Sequence, residues 1–240
     1  MPLRRLTARE RSTAANWQLA SLLAFTAGAV DVSGYLAFHQ FTSHMSGITS
    51  SLAARSASGS LSILLRPAAV LASFIAGAAF CALLVNWERR RNREGLFALP
   101  MLIEALLLAS VALTWPAHHI SLALCVLGFA MGLQNAVITK ISDAEIRTTH
   151  VTGTVTDIGI ELGKTLYWNR SADRSPFVAA DRGRLLLLIL LVALFFGGGA
   201  LSSFMFPHIG FLLMLPVATL LALPTILPLA ADLRSPALER

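Results

Sequence analysis

Charged residues are scarce in this chain. They make up 13% of its 240 residues, whereas hydrophobic residues make up 55%. A soluble domain carries roughly twice that share of charge. Several apolar runs approach the ~20 residues that a helix needs to cross a bilayer, and they lack the alternating pattern of barrel strands. The composition therefore predicts an all-α polytopic membrane protein, with residues 1–240 forming a single transmembrane domain.

Cysteines are few, and catalytic motifs are missing. The two cysteines lie inside apolar runs, so they predict neither a disulfide framework nor a metal-ligand spacing. The chain has no His-Glu-x-x-His motif, no Gly-x-Ser-x-Gly motif and no phosphate-binding glycine loop. Its aromatic residues are not interleaved with basic ones as in nucleic-acid grooves. We therefore expect no enzyme, metal, cofactor or nucleic-acid partner, with an intramembrane enzyme as the least favoured alternative.

The apolar runs predict six membrane spans. Their approximate bounds are 17–38, 67–87, 97–115, 119–139, 185–206 and 208–231. The first run follows a basic stretch and lacks a small-residue cleavage site, which indicates a retained span and not a cleaved signal. Two polar intervals, 39–66 and 140–184, separate some of these runs, and the segments at about 88–96 and 166–184 are expected to be cytoplasmic loops.

Lysine and arginine distinguish two topologies. If neither polar interval crosses the membrane, 17 of the 19 basic residues lie on one side and only Arg55 and Arg66 lie on the other. If both intervals cross, giving eight spans, the division becomes 13 to 6. Cytoplasmic loops concentrate basic residues, so we expect six spans with both termini cytoplasmic. Arg55 favours the eight-span alternative, because in the six-span arrangement it would lie near the tip of a dip into the membrane.

A polar motif occurs twice between the apolar runs. The stretch "FTSHMSGITS" at 41–50 aligns without a gap with "RTTHVTGTVT" at 147–156. Further matches at equal spacing pair Phe25, Gly28 and Asp31 with Phe129, Gly132 and Asn135, and residues 74–77 with 195–198. We therefore expect two homologous repeats, at about 17–115 and 119–231, each with three transmembrane helices and one short motif helix. Three crossings per repeat would invert the second repeat relative to the first, as in many secondary transporters.

The motif residues predict a helix start at membrane depth. Thr42 or Ser43, and Thr148 or Thr149, are expected N-caps, which would put the two motif histidines in the first turn. A helix N-terminus carries partial positive charge and free N–H groups. Within its span Asp31 is expected to lie near His44, and the second half keeps an amide, Asn135, at the equivalent position. A titrating histidine could couple protonation to transport.

These residues define a candidate transport path. The candidates for contact with a substrate or ion are Asp31, His44, Ser46, Glu104, Asn135, Thr148, His150, Thr152 and Asp157. Glu104 stands two turns inside an apolar span, and Asp157 shares a helix face with Glu161. Helix packing is expected at Gly28, Gly47, Gly132 and Gly153.

The leading functional hypothesis is a small-solute transporter or channel with its path at the repeat interface. The alternative is a membrane scaffold or sensor in which the same polar side chains only hydrogen-bond helices together. The expected partners are the lipid bilayer, a small solute or ion and, in a homo-oligomer, further copies of the chain.

Four stretches of the sequence resemble one bacterial family. The segments "AGAVDVSGYLAF", "FTSHMSGITSSL", "AMGLQNAVITK" and "RTTHVTGTVTDI" are similar to the YoaK-like membrane proteins, the domain-of-unknown-function family numbered 1275, and the likeness extends over about 17–231. The first motif departs from the family, which usually has Asn-Met-Thr-Gly-Asn where this chain has His44 to Ile48. The resemblance implies a bacterial inner-membrane protein with about six spans and supplies no substrate.

Overall fold

The computed structural model describes residues 12–57, 61–91, 93, 95–114, 120–141, 149–168 and 177–234. Helices are the only regular secondary structure in these segments, which confirms the predicted all-helical class. The helices are α1 (Thr13–Phe38), α2 (Met45–Ser56), α3 (Leu61–Arg90), α4 (Ala98–Thr114), α5 (Ile120–Ile141), α6 (Val151–Leu166), α7 (Arg182–Ile209) and α8 (Met214–Arg234). A short 3₁₀ turn, Gly210–Leu213, joins α7 to α8.

Four helical stretches are long and apolar enough to cross a membrane. They are Thr13–Phe38, Ile63–Arg90, Ile120–Ile141 and Arg182–Asp232. The last is 51 residues long and contains both α7 and α8, while α4 is apolar but has only 17 residues. The motif helices α2 and α6, with 12 and 16 residues, extend ~18 and ~24 Å. Both are shorter than the ~30 Å hydrocarbon core of a bilayer.

Glycines bring the helices together in two close pairs. A Cβ atom added to Gly28 of α1 would collide with the backbone carbonyl of Phe195 in α7, and one added to Gly198 would collide with that of Phe25. In the second pair, Gly77 of α3 meets the carbonyl of Phe129 in α5, and Gly132 meets that of Phe74. Contacts further along the helices give their directions. Trp17 lies beside Gly183 and the Ser202 hydroxyl donates to the Ala29 carbonyl, so α1 runs parallel to α7, and Val70 meets Gly128 where Phe74 meets Gly132, so α3 runs parallel to α5. Such backbone contact is possible only where a side chain is missing.

One end of the bundle carries most of the basic residues. There α1 and α7 begin, with Trp17 beside Gly183, and α3 turns into α4. The carboxylate of Asp232, near the end of α8, accepts a hydrogen bond from the Gly95 N–H before α4 at 3.1 Å. We call this the basic end because it holds Arg89, Arg90, Arg91, Arg93, Lys140, Arg182 and Arg184.

The opposite end is closed by aromatic and aliphatic contacts. Phe38, at the end of α1, stacks on Phe211 in the turn between α7 and α8, with ring centroids 5.6 Å apart. Leu124, near the start of α5, joins Val70 of α3 and Ile48 of α2 in a small apolar cluster that Phe38 also contacts. Helices α1 and α7 therefore end where α3 and α5 begin.

The two motif helices turn back towards the end from which their chain segments enter. Ile48 of α2 packs against Val70 of α3, and few residues separate the end of α2 from the start of α3. These two helices therefore form an antiparallel hairpin, whose α2 end and α3 start lie at the end of the bundle opposite the basic end. At the basic end, α6 lies antiparallel to α7, with Asp157 paired to Arg184. Arg55 lies in the exposed last turn of α2.

The first prediction concerns the glycine contacts. Replacing Gly198 with alanine forces α1 and α7 apart, and overpacking of this kind costs about 1–3 kcal/mol. Its neighbour Gly197 has open space where a Cβ would be added, so G197A should be neutral or more stable by up to ~1 kcal/mol through helix propensity. Thermal unfolding of detergent-purified protein measures both variants, and equal melting temperatures for the two would contradict the packing assignment.

Candidate functional site

The buried carboxylate of Asp31 fixes the segment that leads into α2. Its Oδ1 atom accepts hydrogen bonds from the backbone N–H groups of Thr42 and Ser43, each at 2.8 Å. The Thr42 hydroxyl is also directed at this atom, at 3.4 Å. Asp31 lies about two turns before the end of α1, so the bonds hold the start of α2 ~10 Å below that end. The chain leaves α1 through His39, whose left-handed backbone (φ 53°) reverses its direction.

His44 completes this site from the first residue before α2. Its Nδ1 atom lies 3.2 Å from Asp31 Oδ2, so the pairing expected from the sequence is present in the geometry. The imidazole also lies against Phe41 and Phe195, with ring centroids 4.8 and 6.1 Å away. One third of the side chain remains exposed. The start of α2 thus contacts the α1–α7 pair, while the body of α2 packs on α3.

The N-cap prediction was wrong. His44 and His150 occupy the N-cap positions of α2 and α6, and neither makes a side-chain capping bond within the described part of the chain. Thr42 and Ser43 instead donate their backbone N–H groups back to α1. Thr149 directs its hydroxyl to α5 and does not cap α6. Thr148 lies outside the described residues.

The second motif repeats the contact with an uncharged partner. The hydroxyl of Thr149, which aligns with Ser43, donates to Oδ1 of Asn135. The Asn135 amide in turn donates to the Met131 carbonyl at 2.8 Å. His150 is exposed at the start of α6. Both motif segments are therefore tied to the polar residue of the preceding span, with a carboxylate in the first half and an amide in the second.

Four further candidate residues lie in the first turns of the motif helices. Ser46 and Thr152 are exposed there. A Cβ at Gly47 would meet only the Cβ of His44 among the described residues, and the atoms nearest to a Cβ at Gly153 belong to His150. Gly47 and Gly153 therefore do not bring a neighbouring helix close, in contrast to the expected packing role. Gly28 and Gly132 lie in backbone contact with α7 and α3, as described above.

Asp157 lies in an ion-pair group between α6 and α7. It faces Arg184 at 3.1 Å, and both side chains are well exposed. One helical turn later, the buried Glu161 accepts hydrogen bonds from Lys164 at 2.8 Å and from the Asp181 N–H at 2.9 Å. These two donors hold the pKa of Glu161 below its ordinary value. The group fastens the end of α6 to the start of α7.

Glu104 lies apart from both motif segments. It is fully buried in α4, and neither carboxylate oxygen has a hydrogen-bond partner among the described residues. Sequence reasoning identified Glu104 because an acid stands out within an apolar run.

Gln134 is a buried residue that the sequence reasoning missed. From α5 it donates to the Thr26 hydroxyl at 2.7 Å and to the Leu23 carbonyl at 3.3 Å, and both acceptors are in α1. Its own side-chain oxygen is buried without a donor among the residues that the structure describes. The sequence contains one signal, an amide next to Asn135 within an apolar run. The repeat does not mark this position, because the residue of the first half that aligns with Gln134 is the apolar Val30.

Some buried polar atoms lack hydrogen-bond partners in the part of the chain that the structure describes. In the described segments no three histidine, cysteine, aspartate or glutamate residues converge as a metal site would require. Buried polar atoms without hydrogen-bond partners there include Ser43 Oγ, Gln134 Oε1 and both oxygens of Glu104, while Asp31 Oδ2 has only the His44 imidazole beside it. Unsatisfied polar atoms are rare inside proteins and costly in a membrane, so such atoms are candidates to meet water or a ligand.

The second prediction concerns the anchor of α2. D31A removes the acceptor of two buried backbone N–H groups, and it should lower the free energy of unfolding by about 3 kcal/mol. D31N keeps an oxygen acceptor and should lose less. Thermal unfolding in detergent measures both variants, with N135A as the matched change in the second half. D31A as stable as the wild type would show that this carboxylate does not hold α2.

The third prediction concerns pH. The folded-state pKa of Glu161 is lowered, so its stabilising effect is fully present above the pKa of the unfolded carboxyl group and is lost as the pH falls through the lower folded value. E161Q should therefore be less stable than the wild type near neutral pH, and the difference should vanish in acid. D157N, whose partner is well exposed, serves as the control and should change little. Unfolding temperatures measured across the acid range test this, and a constant difference would contradict it.

Comparison with known proteins places the chain in a family. No curated protein and no solved structure matches it. A family model described as "Protein of unknown function (DUF1275)" matches residues 19–227, which cover both motif segments and nearly all of the helices described above. The resemblance seen in the sequence is thereby confirmed, and the chain belongs to the DUF1275 family.

Proposed function

We propose that the protein is a transporter or channel for a small polar solute, built from two inverted repeats of three crossings each. The crossings are α1, α3 and α4 in the first repeat and α5, α7 and α8 in the second. The helix directions support this count, because α1 and α5 begin at opposite ends of the bundle and each is followed by a short motif helix that turns back. The eight-span alternative requires α2 and α6 to cross, but each begins inside the end of the preceding helix, beside Asp31 or Asn135, and returns towards the end from which its chain segment entered.

Equivalent contacts in the two halves support the repeat. The spacing Phe-x-x-Gly occurs in α1, α3, α5 and α7, and each copy contacts the copy in its partner helix. The first crossing of one repeat therefore packs on the second crossing of the other repeat: α1 packs on α7, and α5 packs on α3. The two helix pairs meet where α5 contacts α1, through the hydrogen bond from the Gln134 amide to the Thr26 hydroxyl.

One observation carries the transport proposal: two short helices begin part-way along the bundle, and they enter from opposite ends. On the proposed topology both helix starts lie at membrane depth. Asp31 holds the start of α2, and Asn135 holds the segment before α6. Non-helical backbone at this depth is tolerated where it is buried in protein or lines a water-filled cavity. Transporters place broken helices of this kind at the substrate site, where their free N–H groups and partial charges meet polar groups of the solute.

The competing function is a membrane scaffold or sensor, and one contact favours it. Asp31 Oδ1 is already occupied by two backbone N–H groups, so this atom acts as an anchor and not as a free ligand. The remaining atoms near it, Asp31 Oδ2 and Ser43 Oγ, make no hydrogen bond in the described structure, and the adjacent His44 is partly exposed. These groups are the ones we assign to the solute path.

The proposed location is the bacterial inner membrane, with the basic end in the cytoplasm. Basic residues concentrate on the cytoplasmic side of membrane proteins. On this assignment α2 opens to the periplasmic side and α6 to the cytoplasmic side. We expect no chemical conversion of the solute.

The fourth prediction tests water access to the starts of the two motif helices. In a background lacking Cys81 and Cys125, S46C should react with the charged thiol reagent MTSES from the periplasmic side, and T152C from the cytoplasmic side. Labelling is measured by mass spectrometry in right-side-out and inside-out membrane vesicles. The reagent needs an ionised thiol in water, so reaction at both positions would indicate two aqueous vestibules.

Matched controls distinguish water from lipid at these positions. Leu83 and Phe196 are 69% and 74% exposed within apolar spans, so L83C and F196C should face lipid and stay unlabelled. If S46C and T152C are as unreactive as these controls, the motif segments are dry, and the scaffold function replaces the transport proposal.

A further inference from the structure

The bundle interior contains a carboxyl group that has no counter-charge among the described residues. Glu104 lies on the buried face of α4 with Met101, Ala105 and Leu108, and its exposed fraction is 0%. Helix α4 packs against α8, α5, α3 and the 3₁₀ turn, so the group is enclosed on several sides. Both of its oxygens lack a hydrogen-bond partner among the described residues.

The groups around Glu104 do not supply a counter-charge. From α3 the titratable side chain that faces it is the Cys81 thiol. The charged side chains described on the neighbouring helices lie towards the ends of the bundle: Glu88, Arg89 and Arg90 of α3, Lys140 of α5 and Asp232 of α8 at the basic end, and Arg66 of α3 at the other end. Cys125 lies in the other half of α5. The 3₁₀ turn, with the sequence GFLL, has no titratable side chain. No ion pair joins Glu104 to any residue that the structure describes.

This environment determines the protonation state. An ionised carboxylate without a partner is extremely costly in an apolar interior, and such groups neutralise themselves by holding a proton. Glu104 therefore exists as the neutral acid in the state described here. Deprotonation requires water, or a polar group of the solute, to reach α4.

We propose that Glu104 is a proton-carrying site, protonated while the bundle interior is closed and deprotonated when the path opens. The inference rests on the proposed transport function and names its coupling ion. In the step itself, the O–H bond of Glu104 breaks and the proton passes to a water molecule, leaving a carboxylate that takes up a proton from the other side of the membrane. No oxidant or further reactant is needed. The anchored Asp31 is not assigned this role, because its Oδ1 atom accepts two backbone hydrogen bonds.

The fifth prediction uses infrared spectroscopy of the intact protein in lipid. A neutral carboxylic acid gives a C=O stretching band separate from the amide bands, and we expect one that is absent in E104Q and present in the control variant E161Q. In the wild type the band should shift in D₂O and disappear reversibly as the pH is raised, while the helical amide signal is unchanged. E104D, which keeps the acid, should move the band and provides the assignment if E104Q does not fold.

Two results overturn the proposal. A band that neither shifts in D₂O nor titrates before the helices unfold makes Glu104 a sealed structural acid, and the absence of the band shows a carboxylate that is already ionised. MTSES labelling of S46C and T152C is measured separately. Labelling at both positions with a sealed Glu104 leaves the transport path in place and removes only the proton coupling, whereas unlabelled positions remove the path itself.

Discussion

A backbone N–H group that leaves a helix inside a bilayer must find an acceptor within the protein, because the hydrocarbon core offers no water. The connection from α1 to α2 meets this constraint with a single atom, Asp31 Oδ1, which accepts from Thr42 and Ser43. The position of α2 follows from these bonds. Without them the polar segment would move to the membrane surface, where water satisfies its backbone, and no helix would begin at depth.

The two halves meet the same constraint with different charges. Asn135 accepts from the side-chain hydroxyl of Thr149, whereas Asp31 accepts from backbone N–H groups, and an amide oxygen is a weaker acceptor than a carboxylate oxygen. The first half also has an imidazole beside the acid, whereas His150 is exposed. The two motif segments therefore differ in their partners: a carboxyl group and an imidazole lie at the start of α2, and an amide lies beside the segment before α6.

The sequence predicted the helices well and the local geometry of the motif poorly. Long apolar runs located α1, α3, α4, α5, α7 and α8, because the ~20-residue requirement of a bilayer is a strong signal. The preference of threonine and serine for N-caps gave the wrong residue at Thr42, because its hydroxyl and its N–H group are both directed at Asp31 in α1 and His44 precedes α2 instead. Gln134 was missed because its partners Leu23 and Thr26 lie more than 100 residues away, and single-sequence patterns do not report such contacts.

Asp31 and Glu104 are both carboxylic acids, but their different surroundings give them different roles. Both are fully buried carboxyl groups within apolar helices. Asp31 has two N–H donors and an imidazole 3.2 Å away, so its carboxyl group has partners in the folded protein. Glu104 has no partner of this kind in the described structure, so ionisation of its carboxyl group requires a change in its surroundings. A carboxyl group that already has hydrogen-bond donors can hold the neighbouring backbone in place. A carboxyl group without such donors can change its protonation state when water reaches it.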